Sequence, residues 1–193
     1  MIVVKLGGSL FGTPELNAWM QILADYSKQT PIVVVPGGGP FADQVRLVDT
    51  QYNLKAESAH HMALLAMKQF GLLLADIEPK AKLISTNGEI TSPLSIWLPD
   101  DSLVQEASLN HSWAVTSDSI ALWLASKLSA NNLLLIKRSQ INTASIRKLI
   151  QTHVIDSAFS AIFASNKIDA KILHYQNFEH FDSFSQLRSL YLP

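Results

Sequence analysis

The 193-residue sequence contains no cysteine. Disulfides, thiolate zinc sites and a cysteine nucleophile are excluded, and the composition fits a reducing compartment. Charge is also scarce: Asp, Glu, Lys and Arg make up 16% of residues, and the formal net charge is −1. No overall field draws in nucleic acid or an anionic membrane surface, so neither is expected as a partner. No uncharged apolar stretch reaches the roughly 18 residues of a spanning helix. The apolar N-terminal run is broken by Lys5 and Gly7–Gly8, unlike a leader segment. A soluble, cytoplasmic protein is expected. GxxxxGK(S/T) and HExxH are both absent, which removes the Walker-type loop and the zinc-protease helix. The six histidines include no i, i+4 pair, and neighbours His60 and His61 point about 100° apart on a helix. No metal-ligand set is expected.

What is present is apolar. Hydrophobic residues make up 48% of the chain, enough to build a core without staples. Ile2–Leu6, Ile32–Val35, Lys82–Ser85, Leu94–Leu98, Leu133–Ile136 and Lys171–Tyr175 read as strands, mostly continuous apolar runs. Helical spacing covers Pro14–Lys28, a segment opening at Pro40, Ala56–Leu74 and Ser117–Ser129, with a closing helix at Phe178–Leu190. Ile146–Ile150 and Phe159–Phe163 are apolar runs of unassigned type. Asn87–Gly88 reads as a tight turn that a hairpin would use. Continuous apolar strands alternating with helices imply an α/β fold, a mostly parallel central sheet covered on both faces in three αβα layers. With no linker or repeat, residues 1–193 read as a single domain.

Ligands of such sheets bind beyond the carboxyl ends of the strands. Three strand ends carry unusual chemistry: Lys5-Leu6-Gly7-Gly8-Ser9, Pro36-Gly37-Gly38-Gly39-Pro40, and Trp113 to Ser119 leading into a helix. Glycine loops let backbone N–H groups approach an anion, and a helix starting just after adds its positive dipole end. Two such loops on one edge hold two anionic groups side by side, as phosphoryl transfer requires. Lys5, set in an apolar strand, must snorkel out or meet an anion. Read alone, Gly7–Gly8 is equally a plain tight turn, whereas Gly37-Gly38-Gly39 is costlier for a chain to order and points to function. Gly37, Gly39 and Ala42 also spell GxGxxA, a weak dinucleotide fingerprint whose acidic partner, Glu57, falls at a helix start rather than a strand end. That leaves a nicotinamide oxidoreductase as an outlying reading.

VVKLGGSL, VVVPGGGPFAD and WAVTSDSIALWLA, in this order, resemble the amino acid kinase family, which transfers the γ-phosphoryl of ATP. The resemblance runs from residue 1 to about 136. Residues 57–67, 96–99 and 154–159 also resemble a short subgroup that phosphorylates an aminomethylfuran methyl phosphate in methanofuran biosynthesis. The resemblance implies a shortened amino acid kinase-like fold, ATP with Mg²⁺, a small-molecule acceptor and a homodimer. It implies that Lys5 stabilises the transferring phosphoryl and that Gly7, Gly8 and Ser9 bind ATP phosphates. Gly37, Gly38 and Gly39 would cradle the acceptor, and Asp118 would orient lysines by ion pairing. Asp118 also suits a plain helix first turn, and its TSDS context favours the functional role. Lys137 reads either as a second phosphate-directed lysine or as a solvated charge. Arg46 reads either as a grip on an acceptor phosphate or as a surface partner of Asp43 or Asp49. Trp97 and Trp113 read as core or as walls for a ring-shaped substrate. Where relatives have Asp-x-Asp-Gly, this chain has Lys137 to Asn142, and the region past residue 160 is short for a nucleotide lobe. A non-catalytic nucleotide or metabolite binder on the same fold is the alternative.

Overall fold

The computed structural model describes residues 1–106, 109–181 and 184–192. Six strands form one sheet: β1 (Ile2–Leu6), β2 (Ile32–Pro36), β3 (Lys82–Ile84), β4 (Leu94–Trp97), β5 (Asn132–Lys137) and β6 (Asp169–His174). Their order is β3-β4-β2-β1-β5-β6, and every pairing is parallel. The β-branched and leucine-rich strands suit a sheet covered on both faces, and Ile2–Leu6 and Ile32–Pro36 are buried throughout. Lys5 pairs in register with Val35 on one side and Leu135 on the other, so the three central strands end level.

The helices are α1 (Pro14–Ser27), α2 (Gly39–Tyr52), α3 (Ala56–Ile77), α4 (Ser117–Lys127), α5 (Ile146–Gln151) and α6 (Phe159–Ala164). Alternation along β1 divides its side chains between two cores. Val3 packs with Val33, Leu135, Ile120 of α4, Ile146 of α5 and Phe159 of α6. Ile2, Val4 and Leu6 pack with Trp19 and Leu23 of α1 and with Phe181 and Phe184. Helix α3 serves both, with Leu64 and Met67 in the first core and Phe70 and Leu74 in the second. The expected three-layer αβα sandwich is the observed one. Trp97 is fully buried, so its core reading holds. The two unassigned runs are the short helices α5 and α6.

Two expectations are corrected. Asn87–Gly88 does close a tight turn, with Gly88 N–H donating to Ser85 O at 3.1 Å. The chain then crosses back, so β3 and β4 run parallel and form no hairpin. The closing helix expected at Phe178–Leu190 is also absent. Its described residues form single 3₁₀ turns at Phe178–His180 and Phe184–Gln186, and later ones bridge to Ser145 and Lys171. Phe178, Phe181, Phe184 and Leu187 recur every three residues. That spacing eclipses side chains in 3₁₀ turns and drifts off one face of an α-helix.

Candidate active site

Parallel strands deliver their carboxyl ends to one rim, and the loops leaving β1 and β2 meet there. Gly7 N–H donates to Ile136 O at 3.2 Å, and Gly37 N–H donates to Leu6 O at 2.9 Å. These bonds carry the sheet ladder into the two glycine loops. The loops then touch backbone to backbone. A Cβ on Gly8 would lie 2.1 Å from Gly39 N, and one on Gly37 would lie 2.3 Å from Gly8 N. Real side chains cannot occupy either position, so glycine here permits close approach rather than a mere turn. Gly39 has φ +56° and opens α2, whose N-terminal amides face the same rim.

A cleft of about 540 Å³ lies over this junction. Lys5, Gly7, Gly8, Ser9, Gly38, Gly39, Arg46, Asp118 and Lys137 all line it. Gly37 does not line it and instead backs Gly8. Lys5 shares the Val3 face of β1 and projects toward the N-terminus of α4, where Asp118 sits in the first turn. Lys5 Nζ is 2.8 Å from Asp118 Oδ1, a charge contact without an aligned hydrogen bond. Lys137, the last residue of β5, donates to Asp118 Oδ2 at 2.6 Å. One carboxylate thus holds two ammonium groups. Lys137 is paired with Asp118 rather than free in solvent.

Burial sets the electrostatics. Lys5 is 4% exposed and Asp118 2%. Burial pulls the Lys5 pKa down to about 8, opposed by the charge of Asp118 and reinforced by that of Lys137. For Asp118, burial pushes upward, but Lys137 and Lys5 outweigh it and hold the carboxyl at about 2. The cluster carries a net positive charge at neutral pH, turned toward the cleft.

Sequence reasoning missed Asp156. It is the acceptor for Thr116 N–H at 3.0 Å, Thr116 Oγ1 at 2.8 Å, Ser119 N–H at 3.0 Å and Phe159 N–H at 3.1 Å, and also for the Ser119 hydroxyl. It clamps the start of α4 to the start of α6 and so fixes where Asp118 points. Burial and the nearby charge of Asp118 raise its pKa, against the pull of these hydrogen bonds. The available signal was a lone acid between Val154-Ile155 and an apolar helix start. Arg46 pairs with Asp43 at 2.6 Å, as its surface reading had it, yet it also borders the cleft and lies over the Trp113 ring at 4.9 Å. Glu57 lies in the first turn of α3, away from any strand end, so the dinucleotide fingerprint has no acidic partner.

A lysine on β1, two abutting glycine loops on a parallel sheet and an aspartate opening α4 meet at this rim. The model described as the amino acid kinase family matches residues 1–94. Over those residues the chain is similar to the amino acid kinase family. A [5-(aminomethyl)furan-3-yl]methyl phosphate kinase of Methanocaldococcus jannaschii is 33% identical over 141 residues, covering 70% of this chain. The chain spans 64% of that relative's length. Among solved structures, uridylate kinase from Archaeoglobus fulgidus superposes with a TM-score of 0.71 over 97% of both chains, at 14% identity. UMP kinase from Ureaplasma parvum gives 0.69 over 97% of this chain and 96% of its own, also at 14% identity. These two likenesses show a shared fold along nearly the whole chain. No helix among the described residues is long and apolar enough to cross a membrane.

Proposed function

We propose that this protein is an ATP-dependent kinase whose acceptor is a phosphate monoester on a small ring, with an aminomethylfuran methyl phosphate as the leading candidate. The observation that carries the reading is the pair of ammonium groups, Lys5 and Lys137, held by Asp118 over two touching glycine loops. Phosphoryl transfer spreads negative charge over the equatorial oxygens, and fixed positive groups lower its barrier without moving during the reaction. Asp118 does not address the phosphoryl itself, since its charge would repel it. It keeps two flexible side chains aimed at one place.

An acceptor phosphate oxygen attacks the γ-phosphorus while the bond to the oxygen of the departing ADP breaks, giving ADP and a diphosphate. A phosphate monoester is largely dianionic near neutral pH, with a second pKa of about 6. Its nucleophilic oxygen carries no proton to remove, so no general base is needed. The site fits that economy, because both of its buried acids are engaged, Asp118 by lysines and Asp156 by five donors. Gly7, Gly8 and Ser9 would hold the nucleotide phosphates, and Gly38 and Gly39, with Arg46, the acceptor phosphate. Mg²⁺ would arrive on the nucleotide and supply further charge neutralisation. The described residues contain no group of three His, Asp or Glu that makes a separate metal site. Lys137, where the departure at 137–142 begins, pairs with Asp118, and that pairing supports catalysis over a passive binder. A cytoplasmic location and a homodimer belong to the same reading.

The test is turnover of Mg·ATP with the aminomethylfuran methyl phosphate, followed by phosphorus NMR. Equal formation of ADP and a diphosphate ester is expected. ATP binding without turnover on any phosphate monoester would overturn the kinase reading, and preferential binding of NADH would revive the oxidoreductase.

A further inference from the structure

Next to the phosphoryl cleft, and sharing Arg46, Trp113 and Thr116 with it, lies a narrow cavity of about 50 Å³. Its walls are apolar, from Ala63, Leu64 and Met67 of α3 and Ile120 of α4. Of its polar lining residues, Arg46, Thr116 and Ser117 are shared with the cleft, whereas His60 is not: it is 6% exposed, and its Nε2 is buried with no hydrogen-bond partner. A buried imidazole nitrogen left unpaired is costly, and a native fold retains one where a ligand or water completes it. The ring is fixed by stacking on His111 at 4.8 Å. Beyond His60 the space widens to about 280 Å³, and there Asp49 is the one acidic side chain in the wall among the described residues. Trp113 borders all three spaces, half-exposed, with its Nε1–H donating to Asp49 Oδ2 at 2.8 Å. Leu54 N–H occupies Oδ1 at 3.1 Å, leaving each carboxylate oxygen a further lone pair.

Helix α2 orders the charges. Arg46 faces the phosphoryl cleft, and Asp49 follows three residues later, roughly 4.5 Å farther along the helix axis. A cation near the phosphate end and an anion farther out complement a ligand that is anionic at one end and cationic at the other. The apolar slot between them suits a flat ring.

Resting on the kinase reading above, we infer that the acceptor's ring lies under Trp113 and that His60 and Asp49 are specificity-determining residues that recognise a primary ammonium on it. His60 Nε2 accepts one N–H of the ammonium, and Asp49 supplies the opposing charge. Burial, with the charges of His111 and His61, lowers the His60 pKa and keeps the imidazole neutral, as an acceptor must be.

Equilibrium binding without ATP tests this, using the aminomethylfuran methyl phosphate and its analogue with methyl in place of aminomethyl. The native protein should prefer the amine by about tenfold, the worth of a charge-assisted hydrogen bond. Asp49→Asn keeps an acceptor for Trp113 and removes the charge. His60→Phe keeps the stacked ring and removes Nε2. Each should shrink the preference to threefold or less while the melting temperature confirms folding. If Asp49→Asn fails to fold, His60→Phe decides. No preference in the native protein, no binding of either compound, or a preference untouched by the variants overturns the inference. Turnover without preference would leave the kinase and remove this subsite, whereas preference without turnover would do the reverse.

Discussion

Replacing Asp118 by Asn tests the charge cluster at its centre. The substitution keeps the shape and removes the one negative charge between Lys5 and Lys137, which lie 2.8 Å and 2.6 Å from it. Breaking a buried ion pair on one side costs about 3–5 kcal/mol when the remaining charge has nowhere to go. Here it has an outlet. The Lys5 pKa already stands at about 8, held up chiefly by Asp118, with a smaller contribution from Asp156, against burial and Lys137. Without that support it drops further, and Lys5 sheds its proton near neutral pH. Proton loss caps the stability cost near the low end, about 3 kcal/mol, or roughly 6–12 °C in melting temperature for a chain of this size. The catalytic consequence is larger, because a neutral amine offers no charge to a phosphoryl in transfer. The assay is kcat/KM against pH, which reports the free enzyme. The native profile should fall above about pH 8 as Lys5 deprotonates. In Asp118→Asn the falling limb should move at least one pH unit lower, with the surviving rate highest at acid pH. An unmoved limb would refute the view that Asp118 keeps Lys5 charged.

Lys5→Met should lower kcat by about 10²–10³ while ATP affinity changes little, since the ammonium acts on charge that develops in the transition state; equal losses in both would refute that role. Gly8→Ala should prise the two glycine loops apart, because its Cβ would meet Gly39 N at 2.1 Å, and a nucleotide-binding titration should show the loss; unchanged binding would contradict the close approach. Asp156→Ala should release Thr116 and Ser119 and lower kcat through Asp118, with a melting temperature several degrees down; native activity would show that the clamp positions nothing. Acid titration supplies a further check. The Asp118 pKa is depressed to about 2 in the fold, so its stabilisation is full above the unfolded value of 3.8 and is lost as pH falls from there toward 2. Denaturant midpoints should show that loss in the native protein and not in Asp118→Asn.

The site was legible in sequence where its chemistry is local. Lys5 stands out because a charge in an apolar strand needs a reason, and Gly7–Gly8 and Gly37–Gly39 stand out because consecutive glycines are costly to order. Asp118 was visible as a first-turn acid, and Lys137 only as one of two open alternatives, because the distance between them is set by the fold. Asp156 lies 37 to 40 residues from the α4 donors it binds, and no local spacing announces such a pair. His60 and Asp49 escaped for the same reason, as α2, α3 and the Trp113 loop must pack before they share a cavity. In the fold, strands and long helices followed from apolar runs and period. The hairpin failed because a tight turn fixes only its own four residues, not the direction of the strand that follows. The closing helix failed because a three-residue aromatic period fits successive 3₁₀ turns better than an α-helix.

The central claim is that the phosphoryl group passes between the two glycine loops under Lys5 and Lys137. A crystal structure with a non-hydrolysable ATP analogue and Mg²⁺ tests it most directly. The γ-phosphate is expected within hydrogen-bond reach of the Gly8 and Gly39 region and of both ammonium groups. A nucleotide bound elsewhere, or one whose γ-phosphate points away from Asp118's lysine pair, would contradict the account.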